Sequence, residues 1–266
     1  MKTPLRVLLT AALIAVFLVS TAFCLRSHLD KRTASKTHEQ ALMLASALRT
    51  TAVVQAPAAP DTAPTAATQA PPETDAQMQQ MQQMDLSALQ KVNPQVIGWI
   101  RIPGTEVDHP LMQGEDNRYY LTHTWDGKRN SVGAIFMDNR NKADFSNFNT
   151  LIYGHNMNDG SMFASIRHYK DEAYWQAHPH VYILCGDNVL RGEVFSAYRT
   201  SATGEAYTLG LNKSESRVEF IEAAVQRSVL ATGIVPTAQE RIVTLSTCIG
   251  SDDDDRWVVH ARIAAP

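Results

Sequence analysis

Three residues, one of them far from the other two in the chain, have side chains that could together break and remake an amide bond. Cys248 closes the run Val243-Thr244-Leu245-Ser246-Thr247-Cys248, and Arg256 stands eight residues later, at the start of Trp257-Val258-Val259-His260-Ala261-Arg262-Ile263. Read as two strands joined by the loop 249–255, these segments bring a thiol and a permanent cation to one rim of a sheet. A thiol attacks as its thiolate, which a nearby positive charge favours. A fixed guanidinium also supplies hydrogen bonds where the oxyanion of an acyl transfer develops. The missing proton carrier is His155, in Tyr153-Gly154-His155-Asn156-Met157, just past the short apolar run Thr150-Leu151-Ile152. A histidine in that place is suited to general acid and base work.

Each of these residues has a plainer alternative. Cys248 could be bridged to Cys185, the other cysteine outside the amino-terminal apolar stretch, although Cys185 at the end of Val181-Tyr182-Ile183-Leu184 reads as a small buried apolar residue. Arg262 shares the alternation face of Arg256 and is its rival; His260, between Val259 and Ala261, is expected to be a partly buried strand residue. His109, His123, His168, His178 and His180 have no spacing that suggests a metal site. The four acids Asp252 to Asp255 lack the alternating ligands of a calcium loop and read as a solvated turn. An acid so close to the thiol would raise its pKa, opposing Arg256.

The elements that must position these residues follow from periodicity. Eight short apolar runs separated by Gly, Pro, Asn and Asp, at 96–102, 107–112, 134–137, 150–153, 181–185, 190–198, 242–248 and 257–263, predict a β-barrel or sandwich. Alternation along 242–248 puts Thr244, Ser246 and Cys248 on a polar, groove-lining face and Val243, Leu245 and Thr247 on the face that fills the core. Short helices are predicted at 161–168 and 171–178, and a longer one over 214–232, with Val218, Ile221, Ala224, Val225 and Val229 at helical spacing. Residues 76–91, free of Gly and Pro, predict one amphipathic helix whose Met78, Met81, Met84, Leu86 and Leu89 pack onto the domain.

Together, Ile152-Tyr153-Gly154-His155-Asn156, Leu245-Ser246-Thr247-Cys248 and Arg256 resemble the His, Cys and Arg signature of the sortases, the transpeptidases that attach proteins to bacterial cell walls. Asn93-Pro94-Gln95-Val96-Ile97-Gly98-Trp99-Ile100, Ile102-Pro103-Gly104-Thr105, Gln113-Gly114-Glu115-Asp116-Asn117-Arg118-Tyr119-Tyr120-Leu121 and Gly133-Ala134-Ile135-Phe136-Met137-Asp138 resemble the class B branch, in that order. The resemblance runs from about Leu86 to Ile263. It implies a mainly β fold: a closed eight-stranded barrel with an N-terminal helix and a helix in the loop before the nucleophile strand. It also implies catalytic roles for His155, Cys248 and Arg256, and substrate contacts by Ser246, by Asn117 with Leu121, and by Thr203 with Tyr207.

Composition agrees with an ordinary globular protein. The 266 residues are 44% hydrophobic and 19% charged, and the net charge of −3, with no basic cluster beside aromatics, argues against nucleic acid as a partner. Residues 7–25 carry no charge and can just cross a ~30 Å hydrocarbon core as a helix; a cleaved signal is the competing reading. The flanking charges, Lys2 and Arg6 against Arg26, Lys31 and Arg32, do not set an orientation; with the one the resemblance implies, the expected organisation is a cytoplasmic terminus over 1–6, a transmembrane anchor over 7–25, an Ala, Pro and Thr-rich stalk over 26–75, with a short helix from His38 to Val54, and a catalytic domain over 76–266. The function expected is a membrane-anchored cysteine transpeptidase, N-terminus inside and domain outside. It would cleave a C-terminal sorting signal of exported surface proteins and transfer the acyl group to an amine of a lipid II-type peptidoglycan precursor or of a pilin Lys, with no cofactor. The alternatives are a wall-directed cysteine hydrolase or L,D-transpeptidase, and a non-catalytic adhesion module.

Overall fold

The computed structural model describes residues 3–47, 73–248 and 254–263. Its centre is a closed barrel of eight strands, β1 (Val96–Arg101), β2 (Asp108–Met112), β3 (Ile135–Met137), β4 (Asn149–Tyr153), β5 (His180–Cys185), β6 (Asn188–Ser201), β7 (Arg241–Cys248) and β8 (Asp255–Ile263), in the order β1-β2-β3-β4-β7-β8-β6-β5. The pairs β2/β3 and β4/β7 are parallel and the others antiparallel. Each of the eight predicted runs is a strand. Closure leaves no unpaired sheet edge, and it sets β4, β7 and β8 side by side.

Alternation decides which side chains fill the barrel. Val243 and Leu245 of β7, Ile152 of β4 and Val259 and Ala261 of β8 point into one apolar cluster with Ile100, Leu111, Ile135 and Ile183. Outside the wall a second cluster gathers Trp99, Phe136, Leu184, Met81 and Leu89, and a third gathers Phe195, Tyr198, Ile242 and Val258 under α5 (Ser214–Arg227). Complete burial of one such side chain, Leu89 for example, contributes roughly 1.5–3 kcal/mol.

Three helical expectations are corrected. The helix predicted over 76–91 is two, α2 (Glu73–Gln82) and α3 (Ser87–Val92); between them the Asp85 amide donates out of the helix, and the Asp85 carboxylate accepts from the Ser87 amide at 2.8 Å. Its apolar stripe does pack inward, with Met81, Met84, Leu86 and Leu89 buried. Second, α5 stops at Arg227 rather than Thr232, because the Val229 amide donates to the Ala197 carbonyl of β6 at 2.9 Å and draws the chain out of helix. Val229, past the helix end, is exposed; within α5 Val218 is exposed too, and Phe220 makes the core contact with Ile221 and Ala224. Of the two short helices, the first is a 3-10 segment, Ala164–Lys170, and the second is α4 (Glu172–Ala177), capped by the Asp171 side chain.

The third correction concerns the amino-terminal region. α1 is a single helix from Thr3 to Ala47, and no Gly or Pro follows Pro4 within it. Its apolar half is bare, with Leu13, Phe17, Val19 and Phe23 all exposed. Its second half lies on the barrel. Ala34, Thr37, Ala41 and Ala45 form a buried stripe of small residues at helical spacing, which lets the two backbones approach closely. Along that stripe the Asn130 amide donates to the Asp30 carbonyl at 2.8 Å, Trp125 Nε1 to the Thr37 carbonyl at 2.8 Å, and the Asp85 amide to the Ala45 carbonyl at 3.1 Å. Ser131 Oγ donates to the Asp30 carboxylate, and Lys31 Nζ lies 3.2 Å from Asp159. Residues 26–47 are thus a docked helix, not a stalk. The Pro-rich part of the expected stalk, 48–72, lies outside the described residues.

Candidate active site

The upper rims of β4, β7 and β8 border a groove of about 410 Å³, whose walls include His155, Arg256, Ser246 and Thr247. All five residues expected to contact substrate line it: Asn117, Leu121, Thr203, Tyr207 and Ser246. The parallel pairing of β4 with β7 sets Tyr153 opposite Ser246, so the chain leaving β4 at His155 stays beside the end of β7. The Gly154 amide continues that ladder by donating to the Ser246 carbonyl at 3.2 Å.

His155 is held from two sides. Its backbone carbonyl accepts from the Phe163 amide at 2.9 Å, and its Nε2 lies 2.8 Å from the Leu121 carbonyl. A carbonyl only accepts, so the proton sits on Nε2 and Nδ1 is the nitrogen left to exchange one. The segment behind the ring must be glycine: Gly133 has φ +67°, and a Cβ there would come within 2.5 Å of the Tyr120 carbonyl oxygen and 3.1 Å of His155 Cδ2.

On the other wall, Arg256 and Cys248 are register partners across β7 and β8. The Cys248 side chain lies outside the described residues. Arg256 donates to its neighbour's carbonyl, Asp255 O, at 3.1 Å, and its side chain is half-buried along the groove. Of the acidic run, Asp252 and Asp253 are outside the described residues, whereas the Asp255 carboxylate turns to Arg199 Nε, at 2.6 Å. Arg262 is at the far end of β8, paired with Glu193 at 2.7 Å and Glu240 at 3.4 Å, away from the groove. Cys185 is a free thiol, half-buried against the Ala143 carbonyl, and burial pushes its pKa up.

Two buried polar clusters under the groove escaped the sequence reading. In the first, Asp138, fully buried, accepts from Arg140 Nε at 2.9 Å and Nη2 at 2.8 Å, from Asn117 Nδ2 at 3.0 Å and from Tyr153 Oη at 2.8 Å. Burial works against this charge, but the Arg140 and Tyr153 hydrogen bonds outweigh it and hold the carboxyl below its usual range. Asn117 Oδ1 meanwhile accepts from the Asn139 amide, so the Asn117 side chain is fixed at both ends. Asp138 ends a motif the sequence reading singled out; a fully buried charge in a strand-end loop is not visible in spacing.

In the second cluster every hydrogen bond runs in a fixed direction. Asn149 Nδ2 donates to the Ala206 carbonyl at 3.0 Å and the Thr208 carbonyl at 3.1 Å, so its Oδ1 must accept, and it does so from Thr244 Oγ1 at 2.7 Å. Thr244 therefore accepts from His260 Nδ1 at 2.9 Å, which leaves Nε2 of the neutral ring to accept from Tyr198 Oη at 3.1 Å. Complete burial pushes His260 down to about 3. Thr244 thus serves this network beneath the groove instead of lining it, and His260 is fully, not partly, buried. The chain ties β4, β7 and β8 to the segment that carries Tyr207, whose hydroxyl meets Ser246 Oγ at 2.6 Å and whose ring stacks on Tyr153 at 6.4 Å.

A closed barrel whose β4, β7 and β8 rims share a groove lined by imidazole and guanidinium defines a sortase-type architecture. The family model for the sortase domain matches residues 100–264, and the chain belongs to the sortase family. Its relatives place it in class B. It is 36% identical over 181 residues to sortase B of Listeria monocytogenes, covering 67% of this chain and 74% of the relative. It is 31% identical over 178 residues to sortase B of Staphylococcus aureus, covering 66% and 73%. Its structure matches the Staphylococcus aureus sortase B-substrate complex with a TM-score of 0.65 at 29% identity, covering 71% of this chain and 90% of that one. Cysteine transpeptidation is the general chemistry of this family.

Proposed function

We propose that the chain is a membrane-anchored transpeptidase that cleaves a sorting signal near the C-terminus of exported surface proteins and passes the acyl group to an amine at the cell wall. The observation that carries this reading is the meeting of His155, Arg256 and the end of β7 in one groove. The Cys248 thiolate adds to the scissile carbonyl, and Arg256 donates to the oxyanion. His155 gives a proton to the departing amine as the C–N bond breaks, leaving a thioester. An incoming amine then adds to the thioester, His155 takes its proton, and the thiolate leaves as the new amide forms. Asn117, Leu121, Thr203, Tyr207 and Ser246 seat the signal peptide. A peptidoglycan precursor of lipid II type, or a pilin Lys, supplies the amine, and the scheme calls for no cofactor.

The bare apolar half of α1 supports a single membrane span, and membership of the sortase family is what supports the reading with the N-terminus inside and the barrel outside. The decisive experiment is trapping. Incubation with a sorting peptide should add the acyl mass of its N-terminal fragment to Cys248, and a short amine should discharge it as a ligated product. Peptide cleavage that persists in the Cys248→Ala protein would remove the assignment.

A further inference from the structure

The docked half of α1 and its apolar half are one uninterrupted helix, and this fixes where the barrel sits. The apolar run ends at Leu25, and Lys31, six residues on, is paired with Asp159 in the His155 loop. At 1.5 Å per residue that is ~9 Å along the helix axis. The headgroup layer on each face of a bilayer is about 5–8 Å deep, from a ~30 Å core within a total of ~40–45 Å. The Ala45 end of the docked stripe, tied to Asp85, is ~21 Å further along than Lys31. Between those ends the barrel has no hinge to α1: buried alanines and backbone carbonyls bind the two along the whole stripe.

Resting on the reading of α1 as a span, we infer that α1 makes the anchor and the barrel one rigid body that seats the His155 loop against the phospholipid headgroups of the outer leaflet. Arg26 and Arg32 are exposed on the same stretch of α1, within reach of an anionic lipid surface. The site therefore works on groups presented close to the bilayer. The Pro-rich segment 48–72 connects two docked helices, α1 and α2, and does not separate the membrane from the domain.

The test is a depth measurement on the full chain in phosphatidylglycerol-containing nanodiscs. With Cys24, Cys185 and Cys248 replaced, a fluorophore is placed at Asn158→Cys, in the exposed His155 loop, or at Gln83→Cys, exposed beside Asp85. Nitroxide-headgroup lipids should quench the Asn158→Cys label several-fold more than the Gln83→Cys label. A ten-residue Gly-Ser insertion between Leu25 and Arg26 should abolish that difference. Equal quenching of the two labels in the uninterrupted chain, or a difference that survives the insertion, overturns the inference. Carbonate extraction keeps the two readings apart: a chain released from membranes by carbonate has no anchor at all, whereas a retained chain with equal quenching has an anchor and a loose barrel.

Discussion

The two buried polar clusters beneath the groove solve the same problem with opposite chemistry. Around Asp138 a full charge is kept inside and satisfied by Arg140, Asn117 and Tyr153. Around His260 everything is neutral, and each hydrogen bond dictates the sense of the next from Tyr198 through Thr244 to Asn149. Both end at groove residues, the first at Asn117 and Tyr153, the second at the Ala206 to Thr208 segment around Tyr207. A charged cluster loses most when one partner is removed, because buried donors are then left without an acceptor. A neutral cluster loses most when a proton is forced upon it.

The charged side gives the largest expected effect. Asp138→Ala leaves the Tyr153 hydroxyl and the Asn117 amide without their acceptor; the Arg140 side chain, 58% exposed, rehydrates and adds little. We expect a loss of about 3 kcal/mol in urea unfolding, with a raised KM for the sorting peptide because Asn117 is released. A loss under ~1 kcal/mol would mean that the charge is not what holds this wall.

Acid should separate the two clusters. His260 has a folded pKa of about 3 against an ordinary 6.5, so between those values the unfolded chain takes the proton first. Stability from this group is therefore intact above pH 6.5 and lost as the pH falls, by about 2 kcal/mol at pH 5. His109, buried on β2 and also pushed down to about 3, adds a similar loss. The Asp138 carboxyl lies below its ordinary 3.8, so its contribution is still complete at pH 5 and fades only below that ordinary value. His260→Gln should thus remove about 2 kcal/mol of the stability lost between pH 7 and 5, as read from urea midpoints, with the rest left to His109 and to His38 and His180, whose pKa values burial also lowers. An unchanged pH dependence would put the titration elsewhere.

What the sequence made legible follows from the range of each signal. Alternation over a few residues identified all eight strands, and the motifs pointed to Asn117, Leu121, Thr203, Tyr207 and Ser246, which do share a wall with His155 and Arg256. Contacts between distant segments were not legible. The docked stripe of α1 is mostly alanine, too weakly apolar to stand out, yet small residues are what a close helix-to-barrel contact needs. The break between α2 and α3 depends on the Ala45 carbonyl, about forty residues earlier, accepting from Asp85. Thr244 alternates correctly with Ser246 but is covered by the segment that Asn149 holds, so its face is polar without being open.

The smallest effect is the sharpest test of how the neutral cluster reaches the groove. Tyr207→Phe removes the 2.6 Å contact with Ser246 Oγ while leaving the ring on Tyr153, 6.4 Å between centroids and 10° from parallel. The Asn149 bonds to the carbonyls of Ala206 and Thr208 are backbone contacts and survive the substitution. The loss is thus one hydrogen bond at the groove, about 1 kcal/mol, or roughly a fivefold rise in KM for the sorting peptide with kcat within about twofold. If kcat falls and KM holds, the hydroxyl acts during bond breaking and the neutral cluster positions chemistry as well as substrate. If neither moves, the Tyr207 to Ser246 bond is replaced by water in solution, and the link from His260 to the groove ends at the backbone.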